Sequence, residues 1–179
     1  MRRILLSTCV ALTLGLLAVT PTALPAMAQG AARGASGLPL PRYVSLKSKR
    51  VNLRIGPSTD YAVSWMYMKS MPVEIIQEYE NWRRVRDADG TEGWVNQALL
   101  SGERQGIAAP WMKGKGPEVY VNMRREPQST SGIVARLEPG VVIKIGECNG
   151  DWCHAEAGST GGWVSQAEIW GAYPGEAFK

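Results

Sequence analysis

The chain is predicted to be all-β, built as two small tandem barrels joined by a short linker, and three observations carry that prediction. The first is an internal repeat: Val51, Asn52, Leu53, Arg54 and Pro57 return as Val121, Asn122, Met123, Arg124 and Pro127, and Trp82 returns as Trp152, all at an offset of 70,. The second is where that offset changes. Gly93, Trp94, Val95, Gln97 and Ala98 return as Gly162, Trp163, Val164, Gln166 and Ala167 at an offset of 69, so one residue has been lost in a glycine-rich turn. A deletion inside a strand would turn every later side chain to the opposite face, whereas a turn shortens without that penalty. The third is pattern: short β-type runs separated by turn residues, with no helical periodicity longer than a single turn at 96–100.

The elements follow in order. Residues 1–28 carry Arg2 and Arg3, an apolar run from Ile4 to Val19, and the small-residue ending Ala26-Met27-Ala28, which reads as a signal peptide cleaved before Gln29. The apolar run is shorter than the roughly 20 residues needed to span a bilayer, which favours cleavage over the alternative of an uncleaved membrane anchor, and no stable membrane insertion is expected after cleavage. Residues 29–41, rich in Gly, Ala, Ser and Pro, are expected to be a flexible lead-in. The first module, 42–101, shows strand-like runs at 43–46, 51–54, 63–68, 73–79, 82–86 and 93–95. Residues 102–117 read as a linker with one anchor, Trp111. The second module covers 118–171 and a tail covers 172–179. A module of fewer than about 60 residues buries only about 60% of its unfolded surface, so the two modules are expected to pack on each other.

Composition narrows the function classes. The formal net charge is +4; without the two leader arginines it is about +2, spread among acidic neighbours such as Glu74, Glu78, Glu80, Asp87 and Asp89, so nucleic acid is not implied. After processing only Cys148 and Cys153 remain. An even pair in an exported chain reads as a disulfide in an oxidising compartment, periplasmic or secreted. These cysteines flank the four residues Asn149-Gly150-Asp151-Trp152 and should face each other across a hairpin. The same slots in the first copy hold Glu78 and Arg83, where an exposed ion pair is expected to act as the equivalent clamp.

The run Val51-Asn52-Leu53-Arg54 followed by Gly56-Pro57, a strand pair ending in Trp82, and Gly93-Trp94-Val95 together resemble the bacterial Src-homology-3-like (SH3-like) domain. Asn122, Arg124, Pro127, Trp152, Gly162 and Trp163 repeat the match, so the resemblance covers most of the mature chain. It implies a strongly bent antiparallel barrel of five to seven strands that holds cell-wall material or peptides in exported bacterial proteins, and it implies no chemistry. Such domains often accompany a cell-wall hydrolase domain, which is not expected in the residues outside the two copies. The second copy departs from the pattern at Glu126, where the first has Gly56. A positive φ at Gly56 would explain the difference.

Individual residues divide between packing and binding. Trp82, Trp94, Trp152 and Trp163, shared by both copies, are expected in the cores. Arg54 and Arg124 either brace a loop through carbonyls or capture a carboxylate. Differences between copies mark function, because the fold does not require them. Tyr61 faces Ser131, Trp65 faces Ala135, and Met66 and Met68 face Arg136 and Glu138. Alternation places Val63, Trp65 and Tyr67 on the core side and Met66 and Met68 outward, where, with Trp111, they suit an interface with the second module or a partner. Arg54, Pro57 and Tyr61 form the candidate ligand surface. His154 beside Cys153 lacks the ligand set of a zinc site, and no pairing of groups suggests catalysis, a metal or a cofactor. The expected function is a non-catalytic periplasmic or secreted module that binds cell-wall peptide or peptidoglycan through the first domain. The alternative is a scaffold subunit that holds another periplasmic protein.

Overall fold

A computed structural model describes residues 32–179; the expected signal peptide and the first residues of the expected lead-in lie outside the described residues. The first barrel comprises β3 (Arg42–Leu46), β4 (Arg50–Arg54), β5 (Val63–Met68), β6 (Pro72–Tyr79), β7 (Trp82–Arg86), β8 (Glu92–Asn96) and β9 (Leu100–Ser101), preceded by the small hairpin β1 (Ala32–Arg33) and β2 (Pro39–Leu40). Its sheet order is β5-β4-β8-β7-β6-β3-β9, all antiparallel. The second barrel comprises β10 (Gln105–Ala108), β11 (Val121–Arg124), β12 (Ile133–Leu137), β13 (Val142–Asn149), β14 (Trp152–Ala157), β15 (Thr160–Ser165) and β16 (Ile169–Trp170), with β17 (Ala177–Phe178) added on β13. Its order, β12-β11-β15-β14-β13-β10-β16, repeats the first.

The duplication extends to the irregularities. Bulges fall between Leu53 and Arg54 and between Met123 and Arg124, and again between Ile75 and Gln77 and between Ile145 and Glu147. Such bulges bend a strand and let a short sheet curl on itself. The lost residue is where register demanded it: Arg86 pairs with Glu92, whereas Glu156 pairs with Gly161, so the turn absorbed the deletion.

Alternation explains the cores. Val51, Leu53, Tyr67, Val73, Ile75, Val85 and Val95 fill the first barrel, and Val121, Met123, Leu137, Ile143, Ile145, Ala155 and Val164 fill the second. The four shared tryptophans are not among them. Trp94 stands opposite Arg54 and Arg84, on the face that alternation turns away from buried Val95 and Gly93, so all four are half-buried covers on the outside. The preceding glycine is required by close approach: a Cβ on Gly93 would lie 2.5 Å from Leu53 and 2.9 Å from the Arg54 carbonyl, and one on Gly162 would lie 2.7 Å from the Arg124 carbonyl.

Three boundaries differ from the sequence reading. The lead-in is ordered from Ala32, because β1 pairs with β2 and Ser36 is tied to Glu78. The expected linker contains β10, a fully buried strand between β13 and β16 that is the counterpart of β3. In the expected tail, β17 pairs Cys148 with Phe178. Trp65 also departs from expectation: it is 60% exposed, because β5 is an edge strand whose first half runs past the core and only Tyr67 reaches it.

The barrels dock through residues outside the repeat signature. Tyr43 meets Trp170 edge-on at 4.9 Å and Tyr173 at 4.6 Å between ring centroids. The Tyr173 hydroxyl donates to Glu74 Oε1 at 2.8 Å, while Arg86 holds Glu74 Oε2 at 2.7 Å. Arg104 lies over the Tyr43 ring and donates to the Gly171 carbonyl and to Glu176. Burial and the Glu74 charge push the Tyr43 phenol up to about 12. Trp111, expected to make this contact, lies in a 3-10 turn and is half exposed, and Met66 and Met68 point outward.

Candidate functional site

The outer face of β4 carries Arg50, Asn52 and Arg54, because the alternate residues Val51 and Leu53 are buried. Together with Thr59, Trp82, Asn96, Ala98 and Leu99 they line a groove of about 340 Å³. Thr59 comes from the loop after β4, Trp82 from the start of β7, and Asn96 caps the 3-10 turn that supplies Ala98 and Leu99. The groove therefore combines an indole, two guanidinium groups and two amides, which suits a polar chain with a carboxylate.

Arg54 braces. Its Nη1 donates to the Tyr61 carbonyl at 2.6 Å, and Arg124 repeats this with the Ser131 carbonyl at 2.7 Å. The loop between is further closed by Ile55 N–H to the Ala62 carbonyl and Tyr61 N–H to the Ser58 carbonyl. Arg50 is exposed and joins no ion pair among the described residues, which makes it the groove's available cation. Sequence reasoning passed over Arg50, although the offset of 70 sets it against Tyr120, a difference between copies as plain as that at Tyr61.

Tyr61 and Pro57 belong to the loop that forms the groove's rim; neither lines the groove itself. The Tyr61 ring lies on Gly56, where an added Cβ would approach its carbons to 2.6 Å. Gly56 has no positive φ, so close contact, not backbone conformation, explains the glycine. The second copy changes both residues together: Glu126 replaces Gly56, Ser131 replaces Tyr61, and Glu126 N–H donates to the Ser131 hydroxyl at 3.0 Å. There the counterparts Trp152 and Ala167 share a cleft with Pro174 and Gly175 of the C-terminal segment, so the two grooves are unlike.

The hairpin clamps stand as expected in place and differ in depth. Cys148 pairs with Cys153 at a Cα separation of 4.1 Å, joined by a disulfide. Glu78 pairs with Arg83 in the first barrel, Nε to Oε1 3.4 Å. The exposed pair anticipated there is instead a buried node. The Glu78 side chain is 1% exposed and also accepts from the Ser36 N–H, the Ser36 hydroxyl and Arg42, each at 2.7 Å. Burial alone would raise its pKa, but these hydrogen bonds and the Arg83 charge bring it down to about 2,. Asp87, expected to form a turn, accepts from Asp89 N–H and Thr91 N–H, and also receives the buried Tyr67 hydroxyl at 2.7 Å. His154 stacks edge-on against Trp163, and with both sulfurs in the bridge neither cysteine offers a thiolate.

Two curled antiparallel sheets with a loop-rimmed groove on the outer face define a small barrel module of the SH3 class. The chain belongs to the bacterial SH3 domain family, which it matches twice, over residues 47–102 and 118–171. A curated relative, the putative N-acetylmuramoyl-L-alanine amidase YrvJ of Bacillus subtilis, is 23% identical over 129 residues, covering 69% of this chain and 24% of the amidase. The chain thus spans about a quarter of that relative's length. Among solved structures, NlpC2 from Trichomonas vaginalis is 12% identical, with 73% of this chain and 48% of that one covered and a TM-score of 0.33. An NlpC/P60 family protein from Bacillus cereus is 7% identical, with 72% and 55% covered and a TM-score of 0.31.

Proposed function

We propose that the protein is a non-catalytic cell-wall-binding module that acts outside the cytoplasm, periplasmic or secreted, and recognises peptide of the wall through its first barrel. The observation that carries this reading is the groove of Arg50, Asn52, Arg54, Thr59 and Trp82, built in the first copy and altered in the second. Arg50 supplies a free guanidinium for a carboxylate, and Trp82 supplies an apolar wall. Arg54 holds the rim loop, so that Pro57 and Tyr61 meet the ligand's flank. Membership of the bacterial SH3 family and the relationship to a protein named as an amidase support wall material as the target class.

Co-sedimentation with purified sacculi tests the reading. Binding that survives moderate salt, falls severalfold in Arg50→Ala and Tyr61→Ala, and is unchanged in Arg136→Ala of the second barrel is the expected result. Binding indifferent to Arg50 and Tyr61 would contradict it.

A further inference from the structure

In the first barrel β5 pairs with β4 alone and forms the end of its sheet. Its other edge presents backbone N–H and C=O groups without a ladder partner, a template that soluble proteins ordinarily blunt with charge. The second barrel does so in the latter half of its end strand β12, where Ala135 and Arg136, with Glu138 just beyond the strand, occupy the slots of Trp65, Met66 and Met68. In the first barrel the same edge is apolar on both faces, with Trp65 60%, Met66 48% and Met68 63% exposed. The fold tolerates the blunted version, so the unblunted one has another cause.

Charge identifies what fits. Arg50 stands directly opposite Met68, and Ser70 N–H donates to the Leu46 carbonyl, which brings Lys69 beside Lys47 and Lys49. These four cations are exposed and join no ion pair among the described residues. A second copy is a poor occupant. Antiparallel self-pairing would bring the cluster to the Val63 end of the other β5, where the nearby carboxylate, Asp60, is already held by the Ser58 hydroxyl at 2.9 Å and Arg54 adds positive charge.

We propose that the edge of β5 receives an extended segment of another protein as an added strand, with acidic residues lying at the Met68 end and apolar side chains on Trp65 and Met66. This goes beyond the wall-binding reading and uses the flank of β5; of the groove's residues it shares only Arg50. Backbone pairing supplies the register, the methionines adapt to the partner's side chains, and the cations select its acidic end.

The probe is a soluble peptide of alternating valine and threonine ending in a glutamate run, offered to the full mature protein. Binding should slow amide hydrogen exchange at alternate residues of 63–68. It should weaken roughly tenfold with a lysine-ended peptide or in Lys69→Glu, and vanish when the peptide's alternate amides are N-methylated. Trp65→Ala with Met66→Thr, which leaves Arg50 and its cross-strand neighbour Met68 unchanged, should abolish it while sacculus binding persists. Equal binding of the N-methylated peptide, binding only of phosphatidylglycerol vesicles, a β5-dependent dimer in sedimentation that the peptide does not compete with, or no binding at all would each overturn the proposal.

Discussion

Tyr173, beyond the end of the second repeat, donates its hydroxyl to Glu74 in the first barrel at 2.8 Å, across 99 residues of chain. Glu74 is buried, and its other oxygen is held by Arg86, so the carboxylate is fully used only while the barrels are docked. Tyr173→Phe should leave one carboxylate oxygen buried without a partner, a loss of about 1–3 kcal/mol of docking. The expected outcome is a lower melting temperature and a larger radius of gyration in small-angle scattering, with both barrels still folded. An unchanged radius and melting temperature would mean that the aromatic stack of Tyr43, Trp170 and Tyr173 docks the barrels unaided.

The contact of Tyr61 with Gly56 predicts a rescue. Gly56→Ala forces the ring away or shifts the loop and should cost roughly 1–3 kcal/mol. Adding Tyr61→Ser, the residue of the second copy, should recover most of that stability by removing the clash, without recovering sacculus binding. Chemical denaturation of the single and double variants checks this.

Acid should release the N-terminal hairpin before it unfolds the barrels. The Glu78 pKa lies at about 2 in the fold against an ordinary glutamate value near 4.3. Because the folded value is depressed, this stabilisation is fully present above the ordinary value and is lost as pH falls through about 2,. Proton resonances of Ser36 and Arg42 in the folded protein should move only as pH approaches about 2, and Glu78→Gln should remove the pH dependence and loosen residues 32–40 at neutral pH. Ser36 signals that titrate near the ordinary glutamate value, well above pH 2, would contradict the hydrogen-bonded role.

Reduction should weaken the second barrel selectively. Closing a loop of sequence separation 5 is worth about 2 kcal/mol on the chain-entropy description. Cys148→Ala with Cys153→Ala should lower stability by about that amount and loosen β17, which pairs at Cys148. Amide exchange should rise at 142–157 and 177–178 and stay unchanged in the first barrel.

What was legible in the sequence follows from which forces write locally. Strands such as β4, β7 and β8 alternate between core and solvent, so their residues announced them, and a hairpin of four intervening residues placed Cys148 against Cys153. Strand β10 was invisible because Gln105-Gly-Ile-Ala is buried on both faces between two neighbours and shows no alternation. The hairpin at 32–40 depends on a carboxylate 42 residues away, and β17 is only two residues long. Docking through Tyr43, Glu74 and Tyr173 was hidden for another reason: it joins residues that the repeat does not share, so the comparison of copies that exposed Tyr61 and Met66 passed over it. The tryptophans misled because a large apolar side chain reads as core, whereas here alternation puts smaller valines inside.

Co-sedimentation of the mature protein with purified sacculi over a salt series, with Arg50→Ala and Tyr61→Ala alongside, tests the central claim most directly. Wall recognition by the first barrel predicts salt-resistant binding that both substitutions weaken. Absence of binding, or binding that neither substitution changes, would contradict it.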